Sequence, residues 1–327
     1  MGNDPGRCGN KVKNSESSRV NKPLTGIAFK VVSVAVFVAM SSLIKAAGPL
    51  PSGQIVFFRS LFAMPLILVF LGFNKELFTA FHTRRPLNHI LRGTVGVTAM
   101  GLSFFALTRL PLPEAITLNY AQPLLVVVFS SIFLGETIRV FRWSAVVVGL
   151  IGVCIISWPK LTLFESGGGM ANEEMLGVAA ALIGAAVSAC AMIVVRSLVH
   201  TERTATIVLW FSLTATVLSL FTYPFGWASL TMTQAALLIM AGCCGGLGQI
   251  LMTEAYRYAE ASTVAPFEYT SMILGIAVGF FVFGDVPTIH VLVGGLIVVG
   301  AGIFIIWREQ RLGLERKAAR KAAPSQP

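Results

Sequence analysis

The chain has 327 residues, of which 55% are hydrophobic and only 12% charged, with a formal net charge of +10. A soluble domain of this size has too little interior to hide so much apolar surface, so lipid must be the solvent for most of it. Composition therefore excludes a water-soluble globular fold, and the placement of the basic residues excludes a nucleic-acid binder.

In chain order, residues 1–25 form a polar head without the apolar core of a cleaved signal peptide. Ten apolar stretches follow: Gly26–Ala47, Gln54–Phe73, Ile90–Thr108, Pro113–Leu134, Trp143–Trp158, Leu176–Val195, Ala205–Tyr223, Gln234–Tyr256, Ser262–Phe283 and Thr288–Trp307. Each approaches the roughly 20 residues that an α-helix needs to cross a hydrocarbon core. Backbone groups in lipid must be satisfied within the segment, and the runs lack the period of two of a barrel strand, so the expected fold is all-α. The expected organisation is a first five-helix unit over 26–158, an outer loop over 159–175, a second five-helix unit over 176–307 and a basic tail over 308–327.

Of 25 Lys and Arg residues, 21 fall on one set of alternating segments and 3 (Lys45, Arg109 and Lys160) on the other, with Arg59 inside a span. The positive-inside rule then puts both termini in the cytoplasm. The longest outer loop carries Glu165, Glu173 and Glu174 instead.

The two halves echo each other. Pro113-Glu114-Ala115 opens a span that ends at Glu136, and Ala259-Glu260-Ala261 opens one that ends at Asp285. Trp158 and Trp307 each follow their acid by 22 residues, while Ile55-Val56 and Ser60 find Ile207-Val208 and Ser212. An odd number of spans per half forces the halves into opposite orientations, the plan of a carrier with its site between two inverted repeats. The corresponding spans each hold a proline, Pro123 and Pro266, which would free backbone carbonyls at a cavity or simply bend a packed helix.

Five kinds of side chain are candidates for chemistry. Arg59 lies inside the second span, where a charge needs protein or water around it, and it would donate to substrate oxygens, pair with Glu268 or reach for the headgroups. Glu268, beside Pro266, is a candidate for substrate contact and for proton coupling, or a carboxylate held in an ion pair. Asn119, Tyr120, Gln122 and Tyr269 offer amide and phenol groups beside flat apolar surface, which suits an uncharged heteroaromatic ligand or plain interhelical bonding. Glu254 would pair with Arg257 one turn on and take part in gating with the two prolines. Glu136 and Asp285 read as solvated caps. The scattered histidines form no H-E-x-x-H, and no Walker A sequence occurs, so neither a metal, a cofactor nor enzymatic activity is expected.

Phe57-Phe58-Arg59-Ser60, the run from Leu112-Pro113-Glu114-Ala115 through Asn119-Tyr120-Ala121-Gln122-Pro123 to Leu134-Gly135-Glu136, and Ala255-Tyr256-Arg257-Tyr258-Ala259 through Ala265-Pro266-Phe267-Glu268-Tyr269 resemble EamA-type drug/metabolite transporters. The resemblance implies a ten-helix inverted-repeat carrier in a bacterial inner membrane, moving a small organic metabolite by alternating access. Phe29-Lys30, Pro51 to Ser60 and Leu110 to Glu114 look like the riboflavin transporters of that family, with S-adenosylmethionine carriers as the alternative. Direction of transport and oligomeric state are not legible.

Overall fold

The computed structural model describes residues 23–73, 80, 83, 86–134, 140–162, 169–199, 204–258 and 265–322. Their regular structure is helical: α1 (Pro23–Ala46), α2 (Ser52–Phe73), α3 (Pro86–Arg109), α4 (Leu112–Asn119), α5 (Ala121–Leu134), α6 (Val140–Thr162), α7 (Gly169–Val199), α8 (Thr204–Leu220), α9 (Met232–Tyr258), α10 (Thr270–Val278) and α11 (Ile289–Ala322). Short 3₁₀ turns cover Tyr223–Phe225 and Ala265–Tyr269, and a π turn covers Gly279–Phe283.

Among the described residues, seven helical segments are long and apolar enough to cross a membrane by length and composition, with α4 and α5 counted together. Three further apolar helical segments, Trp143–Pro159, Thr206–Leu220 and Phe267–Phe283, are shorter. The sequence leads one to expect ten spans, the fifth and tenth least cleanly bounded; in the structure the fifth is among the shorter helices and the tenth among the long ones. In the last of the three, a 3₁₀ turn at one end and a π turn at the other replace regular helix. Residues such as Val69, Ile132, Ile183, Ile273 and Leu296 are exposed, an arrangement that water would oppose and lipid accepts.

Helices pack mostly with partners distant in sequence. The most extensive contacts join α1 to α9, α3 to α7, and α6 to α11, followed by α2 against α9 and α8. One apolar core gathers Leu118, Tyr120, Leu124, Val146, Ala185, Tyr269 and Val298, and a second gathers Ile44, Ile55, Phe104, Leu112 and Leu238. Where α6 crosses α11, glycines remove the side chains between the backbones. A β-carbon on Gly152 would lie 2.8 Å from the Gly294 carbonyl oxygen, and one on Gly294 would lie 2.5 Å from that of Gly152. Such contacts exclude any larger residue from either position.

The fourth apolar stretch breaks at Tyr120. Its N–H turns back to the Thr117 carbonyl at 3.1 Å, a three-residue turn that ends α4. Pro123 then has no N–H to give to the Asn119 carbonyl, so the chain restarts as α5 rather than continuing. The ninth stretch breaks at Tyr269, where the 3₁₀ turn gives way to α10. Backbone angles at the two breaks nearly coincide, φ −69° and ψ −6° at Tyr120 against φ −69° and ψ −10° at Tyr269. Sequence alone places the interruptions at Pro123 and Pro266; they fall instead at the tyrosines, with Pro123 three residues after one and Pro266 three before the other.

Candidate functional site

At the two breaks the chain brings its aromatic residues together. The rings of Tyr120 and Tyr269 meet edge to face with centroids 5.2 Å apart, both buried. Such T-shaped pairs put the positive ring edge against the negative face. The hydroxyl of Ser271 donates to the Glu268 carbonyl oxygen at 2.7 Å. Its oxygen is thereby free to accept the Tyr120 phenol proton in the short contact between the two groups. Tyr120, Tyr269 and Glu268 therefore form one cluster, as their residue types suggest. Asn119 is exposed, Gln122 is half-buried, and neither enters this network. Pro123 is exposed on the first turn of α5, whereas Pro266 is the second residue of the 3₁₀ turn.

Glu268 is not paired with Arg59. Its carboxylate accepts from the Nζ of Lys30 on α1, a lysine whose side chain is 1% exposed while that of Glu268 is 47% exposed. The reason is placement: α1, not α2, packs against the turn that carries Glu268. A lysine buried in an apolar bundle is tolerable only with a counter-charge, and Glu268 supplies it. Counting Lys30 with the loop charges hid this role, although it stands four residues inside the expected first span.

A second ion pair joins α1 to the same part of the chain. Lys45 Nζ lies 3.2 Å from Asp285 Oδ2 and donates to the Leu110 carbonyl at 2.8 Å. The same Asp285 oxygen accepts the Leu112 N–H at 3.1 Å, capping the first turn of α4 from another segment. Asp285 is thus a half-buried cross-link between α1, α4 and its own segment rather than a solvated cap. Glu114, in the first turn of α4, is buried, and Glu136 and Glu260 lie outside the described residues.

Arg59 stands apart from these pairs. It is 7% exposed, its Nε has no hydrogen-bond partner, and among the described residues it takes part in no ion pair. A second arginine missed by sequence reasoning is Arg92 of α3, half-buried. Nε and Nη1 of Arg92 are buried without hydrogen bonds, and its guanidinium sits 4.1 Å from the centroid of the Phe211 ring on α8. Arg92 too appears only as an inner-loop charge in a count of basic residues. Its position six residues after the start of α3 was the available signal. Glu254 is half-buried on α9, and its expected partner, the Arg257 side chain, lies outside the described residues.

The chain can be set beside known proteins on this basis. The EamA-like transporter family matches residues 24–158 and 175–308. A riboflavin transporter of Rhizobium johnstonii is 30% identical over 298 residues, covering 90% of this chain and 92% of the relative. An S-adenosylmethionine uptake transporter of Rickettsia felis is 27% identical, covering 88% of this chain and 94% of the relative. The pseudopaline exporter CntI of Pseudomonas aeruginosa is 28% identical, covering 85% and 95%. A solved crystal structure shares the fold with a TM-score of 0.61 at 18% identity, covering 88% of this chain and 98% of that one. Proteins so named are transporters and not enzymes, which agrees with the absence of catalytic motifs from the sequence. With matches over both halves and apolar helices throughout, this multi-pass membrane protein belongs to the EamA-like transporter family.

Proposed function

We propose that the protein is a secondary carrier that moves a small organic metabolite across a bacterial inner membrane by alternating access, with ten spans in two inverted repeats and both termini cytoplasmic. The observation that carries this reading is the doubled helix break meeting at Tyr120 and Tyr269. Broken helices in corresponding positions line the site of such carriers, because freed backbone groups are stable only beside protein or water.

The repeat is supported residue by residue. A step of 149 residues carries Glu136 to Asp285, Trp158 to Trp307 and also Tyr120 to Tyr269. Exchanging the halves also exchanges two contacts, that of Gly96 with Phe211 and that of Gly245 with Arg59. The family match over two separate stretches of similar length points the same way.

Riboflavin uptake is the substrate reading that the sequence motifs favour, with Arg59, Asn119, Tyr120, Gln122, Glu268 and Tyr269 as its contacts. S-adenosylmethionine uptake is the second reading, favoured by the buried Arg59 and the half-buried Arg92, which take part in no ion pair among the described residues. Coupling falls to Glu268, whose half-exposed carboxylate exchanges a proton as its pair with Lys30 opens, and Glu254, Pro123 and Pro266 belong to the moving parts. Purified protein in liposomes preloaded with unlabelled metabolite tests the carrier. Saturable counterflow of labelled riboflavin or S-adenosylmethionine is expected, and a linear, non-saturating flux would mean a channel. Orientation is checked by cysteines at Ser166 and Ala323, both outside the described residues. The first should react with an impermeant reagent from outside, and the second only after the inner face is opened.

A further inference from the structure

We propose that the clasp of Lys45, Asp285 and the start of α4 is the outer gate of the carrier, formed while the path to the outside is closed and parted when that path opens. This rests on the carrier reading and its orientation, which put the end of α1 and the start of α4 at the outer face.

One carboxylate oxygen holds the clasp together. Asp285 Oδ2 accepts the Leu112 N–H at 3.1 Å and lies 3.2 Å from Lys45 Nζ. The same ammonium donates to the Leu110 carbonyl at 2.8 Å and sits 5.4 Å from the centroid of the Phe283 ring. Both ionic side chains are half-buried, so the pair is neither sealed from water nor screened to nothing, and it can break and re-form. Its mounting is set by the backbone. After the π turn Gly284 takes φ +69°, a conformation that favours glycine, and the Asp285 N–H reaches back to the Gly279 carbonyl at 2.8 Å. From Leu112 to Tyr120 is eight residues, about 12 Å along a helix axis. The clasp therefore stands on the outer side of the doubled helix break.

Other ties at the same end join different kinds of neighbour. Gln54 of α2 donates to the Ala228 carbonyl at 3.0 Å and accepts the Ala228 N–H at 3.1 Å, in the link between α8 and α9. Gln234 of α9 donates to the carbonyl of Ala47, just past α1, at 3.1 Å. Arg109 of α3 pairs with Glu173 of α7 at 2.6 Å. Each of these fastens helices that already pack extensively on one another, namely α2 on α8 and α9, α1 on α9, and α3 on α7. Such helices move as units, and a further bond between them is redundant. The clasp is different, because α1 packs chiefly on α9 and only lightly on α4 and α10. An ion pair across a sparse boundary contributes a large share of what holds it shut, so it sets the balance between closed and open states.

The test uses the full-length protein in liposomes, in a background without its own cysteines, and follows counterflow of labelled riboflavin and of labelled S-adenosylmethionine. Lys45→Cys with Asp285→Cys, tethered by a short bis-methanethiosulfonate, should lose about tenfold or more in counterflow, and a reductant should restore it. The same tether across Gln54→Cys and Ala228→Cys should change counterflow by no more than about twofold, because α2, α8 and α9 move together. Full counterflow through the first tether overturns the gate and leaves the carrier standing, and equal blockage by both tethers overturns its assignment to this clasp. Opening is also read without transport. Asp285→Asn keeps an oxygen for the Leu112 N–H but no charge for Lys45, and Lys45→Met leaves the Asp285 cap in place. Each should raise by about tenfold the rate at which an impermeant thiol reagent outside labels Ala115→Cys, one turn inside the clasp. Thermal unfolding monitors whether each variant is folded, and the labelling decides the matter if the untethered cysteine pair does not transport. Unchanged labelling in both folded variants overturns the gate. Absence of saturable counterflow by the unmodified protein with both probes overturns the carrier reading and the gate with it.

Discussion

The charges carried by α1 and those carried by α2 and α3 are handled in opposite ways. Lys30 and Lys45 on α1 each have a carboxylate, Glu268 and Asp285, and each pair ties α1 to the segment around α10. Arg59 and Arg92 have no carboxylate among the described residues and are oriented by glycine and a ring instead. Compensated charge holds helices to one another, whereas uncompensated charge is a demand for a ligand. The two regions therefore predict opposite responses of stability and of activity to the loss of a charge.

The largest effect is expected on transport. Arg59→Met should lower substrate counterflow by about 100-fold, of the order that losing one buried charged contact costs. The same change should leave thermal stability unchanged or raise it by about 1 kcal/mol, because it removes an unpaired buried cation. Heat unfolding in detergent measures this sign, and a clear loss of stability would mean that Arg59 has a structural partner.

Lys30→Met should behave in the opposite sense. It leaves Glu268 without its counter-charge, and since that carboxylate is half-exposed, a loss of about 1–3 kcal/mol is expected rather than a full buried-pair penalty. Lys30→Met combined with Glu268→Gln should recover much of the stability, and a double-mutant cycle would show the coupling. Glu268→Gln in transport assays should abolish accumulation driven by a pH gradient, since the amide cannot carry the proton. Unchanged accumulation in the folded variant would return Glu268 to a purely structural role.

Asp285→Ala should cost about 1 kcal/mol, the usual worth of a helix cap, through the loss of its bond to the Leu112 N–H. Freeing Lys45 at the same time should increase the labelling of a cysteine placed at Leu50 by an impermeant reagent. The smallest change is Tyr120→Phe, which removes only the hydroxyl bonded to Ser271 and should cost about 1 kcal/mol or less. Tyr120→Ala should do more harm, because it also removes the ring packed on Tyr269.

Hydropathy made the membrane helices legible, because lipid allows few alternatives once a run of some 20 apolar residues exists. The breaks were misplaced because proline is the visible cause of a kink, while the turn itself closes at whichever residue the backbone geometry reaches. Here that residue is tyrosine in both halves. Charges at the ends of spans were harder still. Lys30, Arg92 and Asp285 look like loop residues when charge is counted by segment, and only lateral packing of the helices buries Lys30 and half-buries the other two. The pairing of Glu268 with Lys30 rather than Arg59 depends on which helices are neighbours, and no spacing within one strand of sequence encodes that.

The packing of each helix with a distant partner has a consequence for how the protein is made. The helix α1 is complete at Ala46 and its main partner α9 at Tyr258, some 212 residues later. At synthesis rates of about 5–20 residues per second, α1 waits roughly 10–40 seconds in the membrane before its partner arrives. Through that interval Lys30 has no Glu268 beside it, so the newborn first half lacks that counter-charge. A helper that shields this segment, or a protease that finds it, acts within that window, and slowing the ribosome over the second half lengthens the exposure.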